Sequence, residues 1–242
     1  MIIPLSDDDS RRRTFPIVNL LIIVANIVVF LYVYYVVDQA TRGYILGNYV
    51  VIPREIVQGQ DYPPPGPYPL WLTLFTAMFL HANWLHLLGN MLFLFIFGDN
   101  VEDAFGHLGY LLFYFVCGIA ASLMQVGVVA AFGGMQGLTT GELGASGAIA
   151  GILGAYLVLF PHARIRTLIG FGLLVFTRLS AALVIGVWFL LQFIPGLVSI
   201  HNVGGVAYFA HIGGFLSGVI LAVLLRRRRP TVTPLPPTTA PW

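Results

Sequence analysis

The sequence predicts an all-α, polytopic membrane protein of six transmembrane helices, bundled around a short fourth helix. Three observations carry this. Hydrophobic residues make up 58% of the 242 positions and charged residues only 9%, where soluble chains run at about 45–50% and 25%. The apolar residues fall into six runs, at about 16–37, 84–98, 108–130, 146–160, 178–194 and 207–225. Spans need roughly 20 apolar residues each, so six use about 120 and leave enough chain for loops and tails. Finally, there is no lysine, and ten of the twelve arginines fall on one predicted side, as the positive-inside rule requires of a multi-pass protein with both termini cytoplasmic.

The elements follow in order. Residues 1–15 form an N-terminal tail ending in Arg11, Arg12 and Arg13. The first run is too long for a signal-peptide core and has no small-residue cleavage site after it, so it reads as an uncleaved span. A long outer loop, 38–83, carries five prolines between 63 and 69 and then the apolar stretch Leu70 to Leu80. A loop of this length in a compact protein is usually functional, and part of it is expected in the membrane interface, with Trp71 and Trp84 at headgroup depth. The fourth run stops at Pro161 and gives a helix of about 15 residues, roughly 22 Å, too short for a hydrocarbon core of about 30 Å. Its outer end therefore starts below the membrane surface, where irregular backbone is tolerated only inside protein or beside a water-filled cavity. Beyond the six-span domain, 16–225, come Arg226 to Arg229 and a Pro/Thr-rich cytoplasmic tail that cannot form a core. Cys117, the only cysteine, reads as a small buried side chain.

Placed by depth, the intramembrane polar residues converge. His86 and Asn90, four apart, share one face of the second span near its outer end. Ser146 opens the fourth span from the same side, and His211 lies in the first turns of the sixth. Polar and ionisable groups in a bilayer are costly and are functional candidates by default. A serine and a histidine at matching depth supply a weak hydroxyl nucleophile and an imidazole to take its proton. His86, Asn90 and the backbone N–H of Ser146 can donate to a developing oxyanion, aided by the positive end of the fourth helix dipole.

At these residues the chain resembles the rhomboid family of intramembrane serine proteases. The matching elements are His86-Leu87-Leu88-Gly89-Asn90, Gly144-Ala145-Ser146-Gly147, and Ala210-His211-Ile212-Gly213-Gly214 followed by Gly218, in order and on the corresponding spans. The resemblance implies a dyad of Ser146 as nucleophile and His211 as general base. His86 and Asn90 would help form the oxyanion hole, and Gly144 would permit a tight turn. Gly147 and Gly151 would pack against Gly214 and Gly218, since small residues four apart let helices approach closely. Glu102 resembles an acid that braces the cytoplasmic end of the second span. Two departures stand out: Ala150 replaces a tyrosine that stacks on the catalytic histidine in well-studied bacterial members, and Trp71 is followed by Leu72 rather than arginine.

The resemblance implies an intramembrane endopeptidase that needs no cofactor or metal. It would cut single-span membrane proteins near the outer leaflet, as a multi-pass protein of a prokaryotic plasma membrane, with no nucleic-acid partner. Glu142 is the one acid on the outer side near Ser146, but an outer loop is a poor place to hold a rigid orienter, which favours a dyad over a triad. His81 is expected to support the cavity rim, and His107, His162 and His201 to be solvated. Gln125, Gln192 and Asn26 read as interhelical hydrogen bonders. The rival reading is a non-catalytic scaffold or a transporter with a polar cavity, disfavoured by the lack of intramembrane acids and of inverted repeats. An H-E-x-x-H metalloprotease helix is absent from the sequence.

Overall fold

Long apolar runs without internal breakers become long helices, and the punctuation between them sets where each begins. The computed structural model describes residues 2–7, 13–171, 173–198 and 206–225. Arg11, Arg12, His201, Arg226 to Arg229 and the Pro/Thr-rich tail lie outside these residues. Strand β1 (Ile2–Ser6) precedes helix α1 (Ile17–Leu31), which runs on as a π-helical turn to Val36. The loop to the next span holds α2 (Gln39–Asn48), α3 (Pro53–Gln58) and α4 (Thr73–Thr76), the last flanked by 3₁₀ turns. Then follow α5 (Trp84–Phe105), α6 (His107–Phe132), α7 (Gly134–Thr139), α8 (Ser146–Leu159), strands β2 (Arg164–Phe171) and β3 (Leu173–Ser180), α9 (Ala181–Val198) and α10 (Tyr208–Leu225).

Five helical segments among the described residues are long and apolar enough to cross a membrane: Ile17–Val36, α5, α6, α9 and α10. The fourth apolar run forms α8, whose 14 residues span about 21 Å at 1.5 Å per residue. This is the short central helix anticipated from Pro161. Every residue of α8 from Gly147 to Tyr156 is buried, because α6 and α10 flank it. Lipid tails are as apolar as leucine, so such an association depends on close packing rather than on hydrophobic drive. The glycines permit it. A Cβ at Gly147 would stand 2.6 Å from that of Ala121 on α6, one at Gly151 2.5 Å from the Cβ of Cys117, and one at Gly218 2.6 Å from the Cα of Gly151.

The all-α expectation needs correction, because the chain is mostly rather than wholly helical. β1, β2 and β3 form an antiparallel sheet in that order, with Arg166 opposite Arg178, Thr167 opposite Thr177 and Ile3 opposite Leu168. Ile165 and Thr167 alternate as buried positions with exposed Arg164 and Arg166, a period of two that a span search does not register. The fifth span accordingly begins at Ala181 and not at 178. The end of β1 is pinned to the bundle at Asp7, whose Oδ2 accepts from Asn100 Nδ2 and Tyr156 Oη at 2.6 Å each.

At the same end of the bundle Glu102, fully buried, accepts from the backbone N–H groups of Val18 (3.0 Å) and Asn19 (2.7 Å). These are orphan donors of the first turn of α1, which has no side-chain cap of its own, and the carboxylate also suits the positive end of the helix dipole. His107 Nδ1 lies 2.5 Å from Glu102 Oε1, so His107 is held by this cap as well as half exposed.

Candidate active site

Three helix beginnings meet at the other end of the bundle. The first is set by Asn83, whose side chain accepts from the N–H of His86 at 2.9 Å and caps α5. This fixes His86 in the first turn and Asn90 one turn deeper. The second is the approach to α8, where Gly144 adopts φ +122°, a region that side chains rarely enter, and donates its N–H to the carbonyl of Ala77 at 2.9 Å. A Cβ at Gly144 would meet His86 Nε2 at 2.8 Å and stand 3.7 Å from Asn90 Nδ2. Glycine there admits both α5 side chains beside the start of α8. The third is α10, where Gln125 Oε1 accepts from the N–H of Ala210 at 3.1 Å across from α6, anchoring the turn that bears His211.

The outcome is a direct contact between residues 65 positions apart: His211 Nε2 lies 2.8 Å from Ser146 Oγ. The other ring nitrogen, Nδ1, lies 2.8 Å from Gln192 Oε1 on α9. An amide oxygen only accepts, so Nδ1 is the protonated nitrogen and Nε2 presents its lone pair to the serine hydroxyl. Trp188, one turn before Gln192, sets its ring 5.9 Å from that of His211. Both side chains that contact the His211 ring here come from α9.

Asn90 is buried and its Nδ2 lies 2.9 Å from His81 Nε2. The amide NH₂ donates, which places the imidazole proton of His81 on Nδ1. His81 is thus more than rim support: it is 1% exposed and orients the Asn90 amide. Asn26, expected to bond between helices, turns its NH₂ back to the carbonyl of Ile22 in its own helix.

Ser146, His211, His86, Asn90, Gln192 and Trp188 all line one cavity of about 580 Å³, within the size range of small-ligand sites. The matching family model is the Rhomboid domain, over residues 69–228. The chain belongs to the rhomboid family. Relatives include "Rhomboid-like protein 11, chloroplastic" of Arabidopsis thaliana, 32% identical over 163 residues covering 66% of this chain and 54% of that protein. "Rhomboid protein 1, mitochondrial" of Saccharomyces cerevisiae is 31% identical over 62% of this chain and 40% of its own length. The "Putative rhomboid protease YdcA" of Bacillus subtilis is 30% identical over 66% of this chain and 69% of its own length. The chain thus spans about half the length of the plant and yeast relatives.

In this rhomboid α8 and α10 approach most closely at glycines. A Cβ at Gly214 would overlap the carbonyl of Gly147, and one at Gly218 that of Gly151. Glu142, weighed as a partner for His211, is not among its hydrogen-bond partners, which are Gln192 and Ser146. Its backbone pairs both ways with Val51, at 3.0 and 2.9 Å, its side chain lines the cavity, and burial pushes its carboxyl up to about 8. The residues whose part the sequence did not reveal are Gln192, Trp188 and His81. Each had a visible signal, a polar or amphipathic group in an apolar stretch, but nothing local to say which partner it would meet.

Proposed function

We propose that this rhomboid is an intramembrane serine endopeptidase that cuts membrane-anchored proteins by a Ser146–His211 dyad. The observation that carries this reading is the 2.8 Å approach of Ser146 Oγ to His211 Nε2, within the range of a nucleophile and its base, in a cavity lined by both. Membership of a family that includes serine proteases supports it.

The chemistry follows from the protons. As Ser146 Oγ forms a bond to the scissile carbonyl carbon, its proton passes to His211 Nε2 and the carbonyl electrons collect on oxygen. The imidazolium keeps its Nδ1–H on Gln192, whose neutral oxygen fixes the ring and its tautomer. In this reading charge developing on the substrate oxygen is met by the N–H of Ser146 in the first turn of α8, the remaining N–H of Asn90 and the His86 ring, all of which line the cavity. When the C–N bond breaks, the leaving amine takes the proton from Nε2. Water, deprotonated by the same nitrogen, then hydrolyses the acyl-enzyme.

In this reading the short α8 begins below the membrane surface, on the side that the sequence predicts to face outward. An intact helix hides its carbonyls in i to i+4 bonds, so the substrates of this reading are single-span proteins with helix-weakening residues near their outer end. The test is cleavage of a reporter single-span protein by the purified enzyme in liposomes. Wild type cuts at one bond and Ser146→Ala and His211→Ala do not; cleavage by Ser146→Ala at the wild-type rate removes the proposal.

A further inference from the structure

The cavity wall contains one acidic group that the proposed chemistry does not use. Glu142 lies four residues before Ser146 in the segment that leads into α8, and its backbone is fixed by the two-way pairing with Val51. Its side chain lines the same cavity as Ser146 and His211, beside Thr140, Leu143 and Val129. Oε1 is sealed from solvent without a hydrogen-bond partner. No arginine lines this cavity among the described residues, so none of them supplies Glu142 with a guanidinium partner there. The imidazoles facing the cavity, His86 and His211, are assigned to the oxyanion and the serine.

A buried polar atom left unpaired is costly, and native proteins rarely leave one without a reason. Burial without compensation is also what pushes this carboxyl up to about 8. A group in that condition gains most from an occupant that brings a cation. Lysine and arginine also carry apolar stems that suit the Leu143 and Val129 surfaces lining the same cavity.

We propose that Glu142 is a specificity-determining residue that selects substrates carrying a basic side chain close to the scissile bond. The proposal rests on the protease reading above. On docking, the substrate cation pairs with the carboxylate from the cavity side, and any proton held by Glu142 leaves to water. Substrates with an apolar residue there leave the carboxyl without a charged partner, and acidic ones add repulsion. A site with a buried hydrogen-bonding group discriminates in this asymmetric way.

The experiment scans one reporter single-span substrate with Lys, Gln, Leu and Asp at each position within four residues of its cut, using wild type, Glu142→Gln and Glu142→Leu in liposomes. At one position wild type should prefer Lys over Leu by roughly ten- to a hundredfold in kcat/KM, the range of a charge-assisted hydrogen bond, with Asp poorest. In both variants the Lys:Leu ratio should fall to near one. Glu142→Gln differs by a single atom and keeps the Val51 pairing; fluorophosphonate labelling of Ser146 reports that each variant is folded. Absence of a Lys preference at every position, a Gln preference equal to that for Lys, or a Lys preference that survives in Glu142→Gln overturns the inference while leaving the protease intact. A wild type that neither cuts nor labels removes the protease reading, and this one with it.

Discussion

Replacing Gly214 by alanine separates packing from propensity. Alanine is the better helix former by about 1 kcal/mol, so an isolated α10 would gain from the change. In the bundle the new Cβ would overlap the carbonyl oxygen of Gly147 and stand 2.9 Å from its carbonyl carbon, where ordinary contact begins at 3.4 Å. Both atoms are backbone and cannot rotate away, so α8 and α10 must part by about 1 Å to restore a normal separation. Gly147 directly follows Ser146, and Gly214 lies one turn beyond His211. The shift therefore falls on the 2.8 Å contact between them and takes it past the hydrogen-bonding range of about 3.2 Å. Misplacement by that distance costs on the order of 100-fold in rate. The assay is the rate of reporter cleavage together with the rate of fluorophosphonate labelling, with Gly186→Ala as control because nothing lies within 4 Å of a Cβ there. Wild-type rates in Gly214→Ala would refute the close-packed seam as the device that joins serine to histidine.

Gln192→Leu removes the acceptor for His211 Nδ1 and is expected to lower kcat by roughly tenfold or more with little change in KM, as a lost orienting hydrogen bond of about 1–2 kcal/mol requires; Gln192→Glu, which keeps the acceptor, should recover part of the rate and shift the pH profile, and equal loss in both would point to packing alone. Glu102→Ala strips the cap from the first turn of α1 and should cost about 1–3 kcal/mol of stability, read as a lowered Tm in detergent, with Glu102→Gln between it and wild type. For Glu142, the folded-state carboxyl at about 8 against an ordinary 4.5 means that the folded protein binds more protons than the unfolded chain between those values. Stability from this group is therefore greatest in acid and declines as pH rises through that window. The thermal stability of Glu142→Gln should decline less steeply between pH 5 and 9 than that of wild type, and parallel profiles would contradict the assignment.

The spacing of chemical groups along the chain revealed more than the path of the chain did. His86 and Asn90 lie four apart on one helix, Ser146 opens a helix that Pro161 must cut short, and His211 precedes Gly214 and Gly218, four residues apart, so a shared helix face and the close approach of two helices could be read from local spacing alone. What the sequence could not reveal was pairing across helices. Gln192 is one glutamine in an apolar run, and only the crossing of α9 over α10 turns it toward the imidazole. Glu102 lies 84 residues from the Val18 amide that it caps. The sheet escaped for a different reason: Arg164 to Ser180 is apolar enough to read as the approach to a span, while its alternation is visible only once β1 and β3 supply partners. Ala150 marked the absence of a stacking tyrosine but not that Trp188 approaches from another helix.

The most direct test of the dyad is the site of covalent modification. Treated with a fluorophosphonate and digested, the wild-type protein should carry the adduct on Ser146 in close to one-to-one ratio. Ser146→Ala should carry none and His211→Ala should react far more slowly. An adduct elsewhere, or equal labelling of Ser146→Ala, would contradict a nucleophilic Ser146 activated by His211.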